Sequence, residues 1–181
     1  MNFQELINKR QSVRKYSDKA VEKEKINRCI EAARLAPSAS NSQPWKLLIV
    51  DNPELKNKVA KETCSKLLKF NKFVLEASVI IVIVLEKAKV KTRIGEKLKN
   101  KEWRLIDIGI AAEHFCLQAT EEGLGTCMLG WYNENPIKKL LNIPDNKSIG
   151  LLISVGYPVK DYKLRKKIRK DIEQIVSYNA Y

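Results

Sequence analysis

Histidine and paired cysteines are scarce in this sequence. It has a single histidine, His114, and four cysteines at irregular spacings with no C-x-x-C pair. Zinc and iron–sulfur sites draw several ligands from these residue types, usually at short fixed spacings, so the composition argues against such a site. We expect free, mostly buried thiols in a reducing cytoplasm. The cysteines are Cys29, Cys64, Cys116 and Cys127.

The sequence also lacks the motifs of several large enzyme classes. It contains no G-x-S-x-G nucleophile elbow and no Walker A phosphate loop. Gly123-Leu124-Gly125 lacks the third glycine of a dinucleotide fingerprint and precedes a predicted strand, so we interpret it as the end of a helix. His114 lies in a predicted helix beside Phe115, where a histidine is usually structural. Hydrolase, kinase and metalloenzyme functions therefore lose support.

Long apolar runs are missing as well. The longest run, residues 77–85, is much shorter than the roughly 20 residues that a membrane-spanning helix needs. The N-terminus lacks the apolar core of a signal peptide. We therefore expect a cytoplasmic protein without a membrane partner.

Positive charge is present in excess. The formal net charge is +13 at pH 7. The excess indicates either an anionic partner, such as nucleic acid, an acidic membrane surface or a phosphorylated ligand, or a solvated lysine-rich surface. The lysines are spread over predicted helix faces without interleaved aromatic residues, and no RNP, zinc-finger or helix-turn-helix signature is present. We expect no nucleic-acid partner, although a basic nucleic-acid-binding module stays the alternative from another functional class.

Hydrophobic periodicity predicts one domain over residues 1–181 in which helices and strands alternate. The nearly unbroken β-branched run at residues 77–85 indicates a central strand covered on both faces. The predicted helices cover residues 3–10, 22–35, 53–68, 104–122, 136–141 and 171–178, and the predicted strands cover residues 45–50, 77–85, 126–131 and 149–155.

Two short clusters of residues could bind an anion. Arg10, Ser12 and Arg14 alternate along a predicted extended segment, so their side chains share one side. Lys167 and Arg169 repeat this spacing near the other end of the chain. Each cluster alone is also typical of a solvated basic surface. Together they could supply the converging donors that a phosphate needs.

The loop between Pro37 and Pro44 is rich in hydroxyl and amide side chains. Such groups on a stiffened backbone suit the edge of a heterocycle or a polyol, and they are equally typical of an ordinary turn.

Four segments resemble motifs of the FMN-dependent nitroreductases, in the same order and at similar spacing. The resemblance covers essentially the whole chain. The segments are Arg10-Gln11-Ser12-Val13-Arg14-Lys15-Tyr16, residues 36–45 (APSASNSQPW), residues 123–131 (GLGTCMLGW) and residues 169–176 (RKDIEQIV).

This resemblance implies an α+β fold with a central mixed β-sheet flanked by helices, and a homodimer with FMN at the subunit interface. It also implies roles for particular residues. The phosphate and ribityl chain would be held by Arg10, Ser12, Lys167 and Arg169, and Arg14 would face the pyrimidine edge of the flavin. The ring would be covered from the partner subunit by Pro37, Ser38 and Ala39, and Asn71 would bond the flavin edge. The backbone amides of Leu129 and Gly130 would lie near the reactive nitrogen, and the implied cofactor-binding set is completed by Gln11, Asn41 and Met128.

The implied activity is ping-pong hydride transfer from NAD(P)H to nitroaromatic, quinone or related acceptors. Because the cofactor carries this reaction, no catalytic side chain and no metal are expected. Reductive dehalogenation and enone or flavin reduction are variants on the same scaffold, and a flavin-binding protein without useful turnover is a further possibility. The short, lysine-rich segment at residues 86–101 would have to supply any lid over the pocket.

Overall fold

The computed structural model describes residues 1–65 and 70–181. Within these residues helices and strands alternate along the chain. In chain order they are α1 (Phe3–Lys9), α2 (Lys23–Arg34), β1 (Trp45–Val50), α3 (Pro53–Lys61), β2 (Val79–Leu85), α4 (Val90–Lys99), α5 (Trp103–Glu121), β3 (Gly125–Leu129), α6 (Glu134–Leu140) and β4 (Ser148–Gly156), with short 3₁₀ turns at Ala39–Asn41, Lys72–Glu76 and Ile172–Gln174.

The four strands form one sheet in the order β1-β2-β4-β3, and every neighbouring pair is antiparallel. The predicted α+β fold is confirmed. Among the described residues, the parallel part of the predicted mixed sheet is an isolated bridge between Ser12 and Thr126. This bridge places the N-terminal extended segment beside the edge strand β3.

Strand β2 lies at the centre of the core, as its sequence predicts. Its alternate residues face opposite sides, because side chains alternate along a strand. Ile81 and Ile83 pack with residues of α2 and α5 on one side. Ile80 and Val82 pack with residues of α3 and α6 on the other. Helices therefore cover both faces of the sheet and leave its β3 edge to the N-terminal segment.

The long helix α5 begins and ends within one residue of its predicted bounds. Gly123 follows it with a φ of +76°, a left-handed conformation that glycine adopts without steric cost and that commonly ends helices. None of the helices in residues 1–65 and 70–181 combines the length and hydrophobicity needed to cross a bilayer.

Helix α3 is shorter than predicted. It ends at Lys61, whereas the sequence pattern predicts a helix to Leu68; residues 66–69 of that prediction lie outside the described residues. The buried Thr63 hydroxyl donates to the Ala60 carbonyl at 2.7 Å, and the Asn71 side-chain amide donates to the Thr63 carbonyl at 3.1 Å. These contacts close a turn where local periodicity alone favours further helix.

The predicted helix at residues 171–178 is wrong. This region holds only the 3₁₀ turn Ile172–Gln174. Ile172 and Ile175 are 61% and 64% exposed, so among the described residues the apolar stripe of the predicted helix has no surface to pack against. A short helix without such packing is marginal in water.

Candidate functional site

The N-terminal extended segment lies along the outer edge of β3. The Val13 backbone N–H donates to the Thr126 carbonyl at 2.8 Å, next to the Ser12–Thr126 bridge. A Cβ at Gly125 would lie 2.7 Å from a methyl carbon of Val13. The missing side chain therefore allows the two backbones to approach, and this approach sets the position of Ser12 and its neighbours.

A segment from the other end of the chain lies against the N-terminal one. The side-chain amide of Gln11 donates to the Lys163 carbonyl at 3.3 Å and accepts from the Arg165 backbone N–H at 3.1 Å. The Arg165 guanidinium donates to the Ser12 carbonyl. The Lys167 ammonium donates to the Arg10 carbonyl at 2.5 Å. Residues 10–12 and 163–167 are thus joined side by side.

These two segments enclose a cavity of about 400 Å³. It brings together all four residues that the resemblance assigns to the phosphate and ribityl chain. Sequence reasoning missed Arg165, although the alternation of residues 165, 167 and 169 could have indicated it. The lining residues are Arg10, Gln11, Ser12, Arg165, Lys166, Lys167, Ile168 and Arg169.

Positive charge dominates this cavity. Desolvation, and then the positive charges of Arg10 and Arg169, lowers the pKa of Lys167 below its ordinary value. Glu113 on α5 lies 3.1 Å from the Arg10 guanidinium nitrogen and offsets part of the charge. Because the neighbouring cations disfavour the charged form of Lys167, an anion in the cavity would be stabilised by all of them.

Arg14 lies farther along the same segment and close to β3. Burial raises the pKa of the Cys127 thiol, and Arg14, Ser12 and Arg165 act in the opposite direction. These effects require the Arg14 side chain to lie near Cys127. The Arg14 backbone N–H donates to the Tyr162 hydroxyl at 3.0 Å. Arg14 thus adds a cation beside the strand whose last residues carry the third motif.

The end of β3 is the next part of the candidate site. Leu129 is buried and pairs with Leu152 of β4, Met128 is half-buried, and Gly130 is exposed. In the part of the chain that the structure describes, β3 is an edge strand and its backbone bridge to Ser12 is at Thr126. The outer edge of β3 beyond Thr126 therefore faces away from the sheet, where backbone amides could bind a ligand.

The loop after α2 lies at a different place. The Ala39 backbone N–H donates to the buried Asp107 carboxylate of α5, at 3.1 and 3.2 Å from its two oxygens. Asn41 accepts from the Gln43 side-chain amide at 2.7 Å, and the Ser38 hydroxyl accepts from the Gln43 backbone N–H at 2.9 Å. Pro37, Ser38, Ala39 and Asn41 do not line the cavity of their own chain.

The predicted lid contacts this loop directly. Helix α4 occupies most of residues 86–101. The Ser42 and Thr92 hydroxyls lie 2.8 Å apart, and the Lys89 ammonium donates to the Ser40 carbonyl at 3.3 Å. The position of α4 is therefore linked to the loop that the resemblance places over the flavin ring.

Asn71 and His114 both make contacts with backbone carbonyls of their own chain. Asn71 adopts a left-handed conformation with φ of +63°, and its side-chain amide donates to the Thr63 carbonyl. Its predicted contact with the flavin edge stays a prediction. Nδ1 of His114 lies 3.3 Å from the Ala32 carbonyl, between α5 and α2, which agrees with the structural role predicted for this histidine.

Comparisons with known proteins bear on the family of this chain and on its fold. The sequence matches the profile of the Nitroreductase family over residues 7–72 and 61–157. It is 33% identical to an Archaeoglobus fulgidus protein named provisionally as an NADH dehydrogenase/NAD(P)H nitroreductase, over 87% of this chain and 86% of the relative. It is 29% identical to human iodotyrosine deiodinase 1, over 96% of this chain and 67% of the relative. The structure superposes with a TM-score of 0.74 on an FMN-dependent nitroreductase from Clostridium difficile R20291, at 31% identity, over 97% of this chain and 98% of the other.

Proposed function

Because the chain belongs to the nitroreductase family, we propose that it is an FMN-dependent oxidoreductase that uses NAD(P)H to reduce nitroaromatic, quinone or related acceptors. One observation carries the proposal: Arg10, Ser12, Lys167 and Arg169, which come from opposite ends of the sequence, line a single cavity. The name of the C. difficile neighbour supports FMN, and the name of the A. fulgidus relative supports NAD(P)H.

The donor set fits a phosphate ester. Guanidinium forks match phosphate oxygens in geometry, and a lysine ammonium adds a compact positive charge. We assign Arg10, Lys167 and Arg169 to the phosphate oxygens and Ser12 to the phosphate or the ribityl chain. Glu113 keeps the Arg10 guanidinium beside the cavity, so less side-chain freedom is lost when the ligand binds.

Arg14 and the end of β3 would orient the ring. When bound, FMN supplies the hydride chemistry that links NAD(P)H oxidation to reduction of the acceptor. The cation of Arg14 would stabilise negative charge that develops on the pyrimidine side. The backbone amides of Leu129 and Gly130 would donate toward the reactive nitrogen. Asn71, Asn41, Met128 and Gln11 belong to the proposed site as supporting residues, and no side chain is assigned a nucleophilic or acid–base role.

We include a homodimer in the proposal. The loop at residues 37–41 lies on α5 and outside the cavity of its own chain, so its role at the ring requires a second copy. Several apolar side chains also lack cover within the chain, and in a monomer their exposure is unfavourable. They include Leu105 and Ile106 on α5 and Ile168, Ile172 and Ile175 near the C-terminus. All four cysteines are free thiols, which agrees with a cytoplasmic location.

Colour and rapid kinetics test this proposal. We expect purified protein to be yellow or to become so with FMN, and anaerobic NADH or NADPH to bleach it. Steady-state turnover should give the parallel double-reciprocal lines of a ping-pong mechanism. A colourless protein that stays empty in excess FMN would end the proposal. Strongly salt-dependent retention on DNA without flavin would favour the nucleic-acid alternative.

Reductive dehalogenation is a second candidate, favoured by the similarity to iodotyrosine deiodinase across 96% of the chain. The photoreduced protein should be mixed anaerobically with nitrobenzene derivatives, quinones, enones and a halogenated phenol, and reoxidation followed at the flavin absorbance. Dehalogenation would become the favoured function if the halogenated phenol reoxidised the flavin with release of halide, and did so faster than the nitro compounds and quinones.

A further inference from the structure

The segment at residues 163–170, here named the C-terminal strap, is held to the rest of the molecule in an unusual way. It has no helix or strand, and its side chains are exposed apart from the half-buried Lys167. Among the described residues, the hydrogen bonds that join the strap to the rest of the chain all go to residues 10–12. Its hydrogen-bonded attachment is therefore confined to one small polar region beside the cavity, while the half-exposed Leu164 lines a neighbouring cavity with Val13 and Leu124.

The charge of the strap opposes this attachment. Six of its eight residues are Lys or Arg, and it contains no Asp or Glu. In the attached position Arg165, Lys167 and Arg169 line the same cavity as Arg10. Like charges at such separations repel even when salt screens them. Glu113, which pairs with Arg10, offsets only part of this charge. An anion in the cavity would convert this repulsion into attraction from both segments.

Gln11 determines how the strap aligns. Its side-chain amide donates to the Lys163 carbonyl and accepts from the Arg165 N–H, so it matches the strap backbone as a neighbouring strand would. This register places the Arg165 guanidinium on the Ser12 carbonyl and the Lys167 ammonium on the Arg10 carbonyl. Gln11 is thus a positioning residue for Lys167 and Arg169.

We propose that the phosphate group of the ligand locks the C-terminal strap onto residues 10–12 through the cavity that they share, with Gln11 aligning the strap, and that an empty cavity releases it. The inference rests on the proposed function only in that the FMN phosphate would be the natural occupant. The phosphate, and not the isoalloxazine ring, carries the effect.

Limited trypsin digestion of the full-length protein reports the state of the strap. Cleavage after its lysines and arginines releases a peptide that ends at Tyr181, which intact-mass spectrometry detects. With FMN or inorganic phosphate at about ten times its dissociation constant, we expect cleavage about tenfold slower, because proteolysis follows the population of the released state. Riboflavin, and sodium chloride at equal ionic strength, should give little protection. Digestion at two protein concentrations about tenfold apart should give the same rate constants.

The Gln11→Ala variant separates positioning from general stability. It leaves every cleavage site in the strap unchanged. We expect FMN affinity to fall about threefold to tenfold, the effect of losing a neutral hydrogen bond or two, with riboflavin affinity and the melting temperature nearly unchanged. Gln118→Ala is the matched control, since the Gln118 amide donates to Glu122 on α5 and away from the strap.

The outcomes distinguish the two proposals. Three results would each overturn the proposal that phosphate locks the strap. The first is equal protection by riboflavin and FMN, and the second is protection that appears only at high protein concentration. The third is a yellow FMN complex whose strap is cleaved as fast as in the free protein. Protection by inorganic phosphate in a protein that does not bind FMN would support the lock and overturn the flavin function.

Discussion

At the level of single residues, hydrogen bonds to backbone carbonyl oxygens position cationic side chains in the cavity. The Lys167 ammonium lies on the Arg10 carbonyl, and the Arg165 guanidinium lies on the Ser12 carbonyl. Each contact keeps a cation beside its neighbours without neutralising it. The cavity is thus prearranged for an anion, and this arrangement makes binding sensitive to each charge and to its protonation.

Replacing Arg10 should separate the phosphate from the ring as sources of affinity. We expect Arg10→Gln to weaken FMN binding about 10-fold to 100-fold, because a hydrogen bond to a charged group contributes about 1.5–3 kcal/mol. Riboflavin binding should change little. Fluorescence titration measures both affinities. Arg34→Gln is the control, since Arg34 pairs with Glu31 on the surface of α2. Equal losses for FMN and riboflavin would show that Arg10 does not act on the phosphate.

The pKa of Lys167 predicts a pH dependence. This pKa is lowered below its ordinary value by desolvation and by the neighbouring Arg10 and Arg169, and the protonated form is the one that binds phosphate. FMN affinity should therefore be highest at pH values well below that lowered pKa, and it should decrease as the pH rises toward the ordinary lysine pKa of about 10.4. Riboflavin titrations correct for ionisation of the ring.

Lys167→Arg is the matched variant for that measurement, because an arginine stays protonated throughout this range. We expect its FMN affinity, after the riboflavin correction, to be nearly flat with pH. An equally steep decrease in this variant would assign the titration to another group.

At the level of elements, the contact between β3 and the N-terminal segment determines where the site forms. A methyl group at Gly125 would collide with the branched, buried side chain of Val13. Neither side can move easily, since Val13 is bonded to the Thr126 carbonyl. The packing of one glycine is thus connected to the position of Ser12 and its neighbours, which we propose bind the phosphate.

The Gly125→Ala variant tests this connection. We expect a loss of about 1–3 kcal/mol in the free energy of unfolding, as for overpacked cores, together with weaker FMN binding as Ser12 is displaced. Urea denaturation and FMN titration measure the two effects. Gly109→Ala is the control, because the added methyl group contacts nothing within 4 Å and alanine favours a helix by about 1 kcal/mol. Recovery of stability in the Gly125→Ala, Val13→Ala double variant would confirm the collision as the cause.

Other elements show where sequence reasoning reached its limit. The bounds of α2, β1 and α5 follow from hydrophobic periodicity, because each element packs one stripe or face on the core. The end of α3 depends on Thr63 and Asn71, which meet only in the folded chain. The 3₁₀ turn at Ile172–Gln174 replaces a predicted helix because, in residues 1–65 and 70–181, no surface covers its apolar side.

At the level of the whole molecule, the exposed apolar residues near the C-terminus indicate a surface for a second copy. Ile175→Asp should shift the protein from dimer toward monomer, because a carboxylate in an apolar interface is strongly disfavoured. Analytical ultracentrifugation measures the change, and bound FMN should decrease in parallel. The Ile175→Val control should stay dimeric. An Ile175→Asp variant that stays dimeric, with FMN bound, would place the interface elsewhere.

The sequence predicted the kinds of side chain that line the candidate site, but it did not predict all of the residues that the site contains. Arg10, Ser12, Lys167 and Arg169 could be named because their alternation along extended segments and their motif context are both local properties. Glu113 could not, since its proximity to the cavity depends on how α5 packs. Arg165 was missed, although it continues the alternation of Lys167 and Arg169. The proposed flavin contacts of Asn71 and of the loop at residues 37–41 stay predictions.

The sequence by itself determined most of the core helices and strands and which charged residues are candidates for binding a phosphate, because periodicity and residue type are properties of neighbours along the chain. Only the tertiary structure decided that the two ends of the chain meet, that the sheet is antiparallel with β3 at its edge, and that the loop at residues 37–41 lies away from the cavity of its own chain. These outcomes depend on contacts between residues far apart along the chain, such as Ala39 and Asp107 or Gln11 and Lys163, which local patterns do not encode.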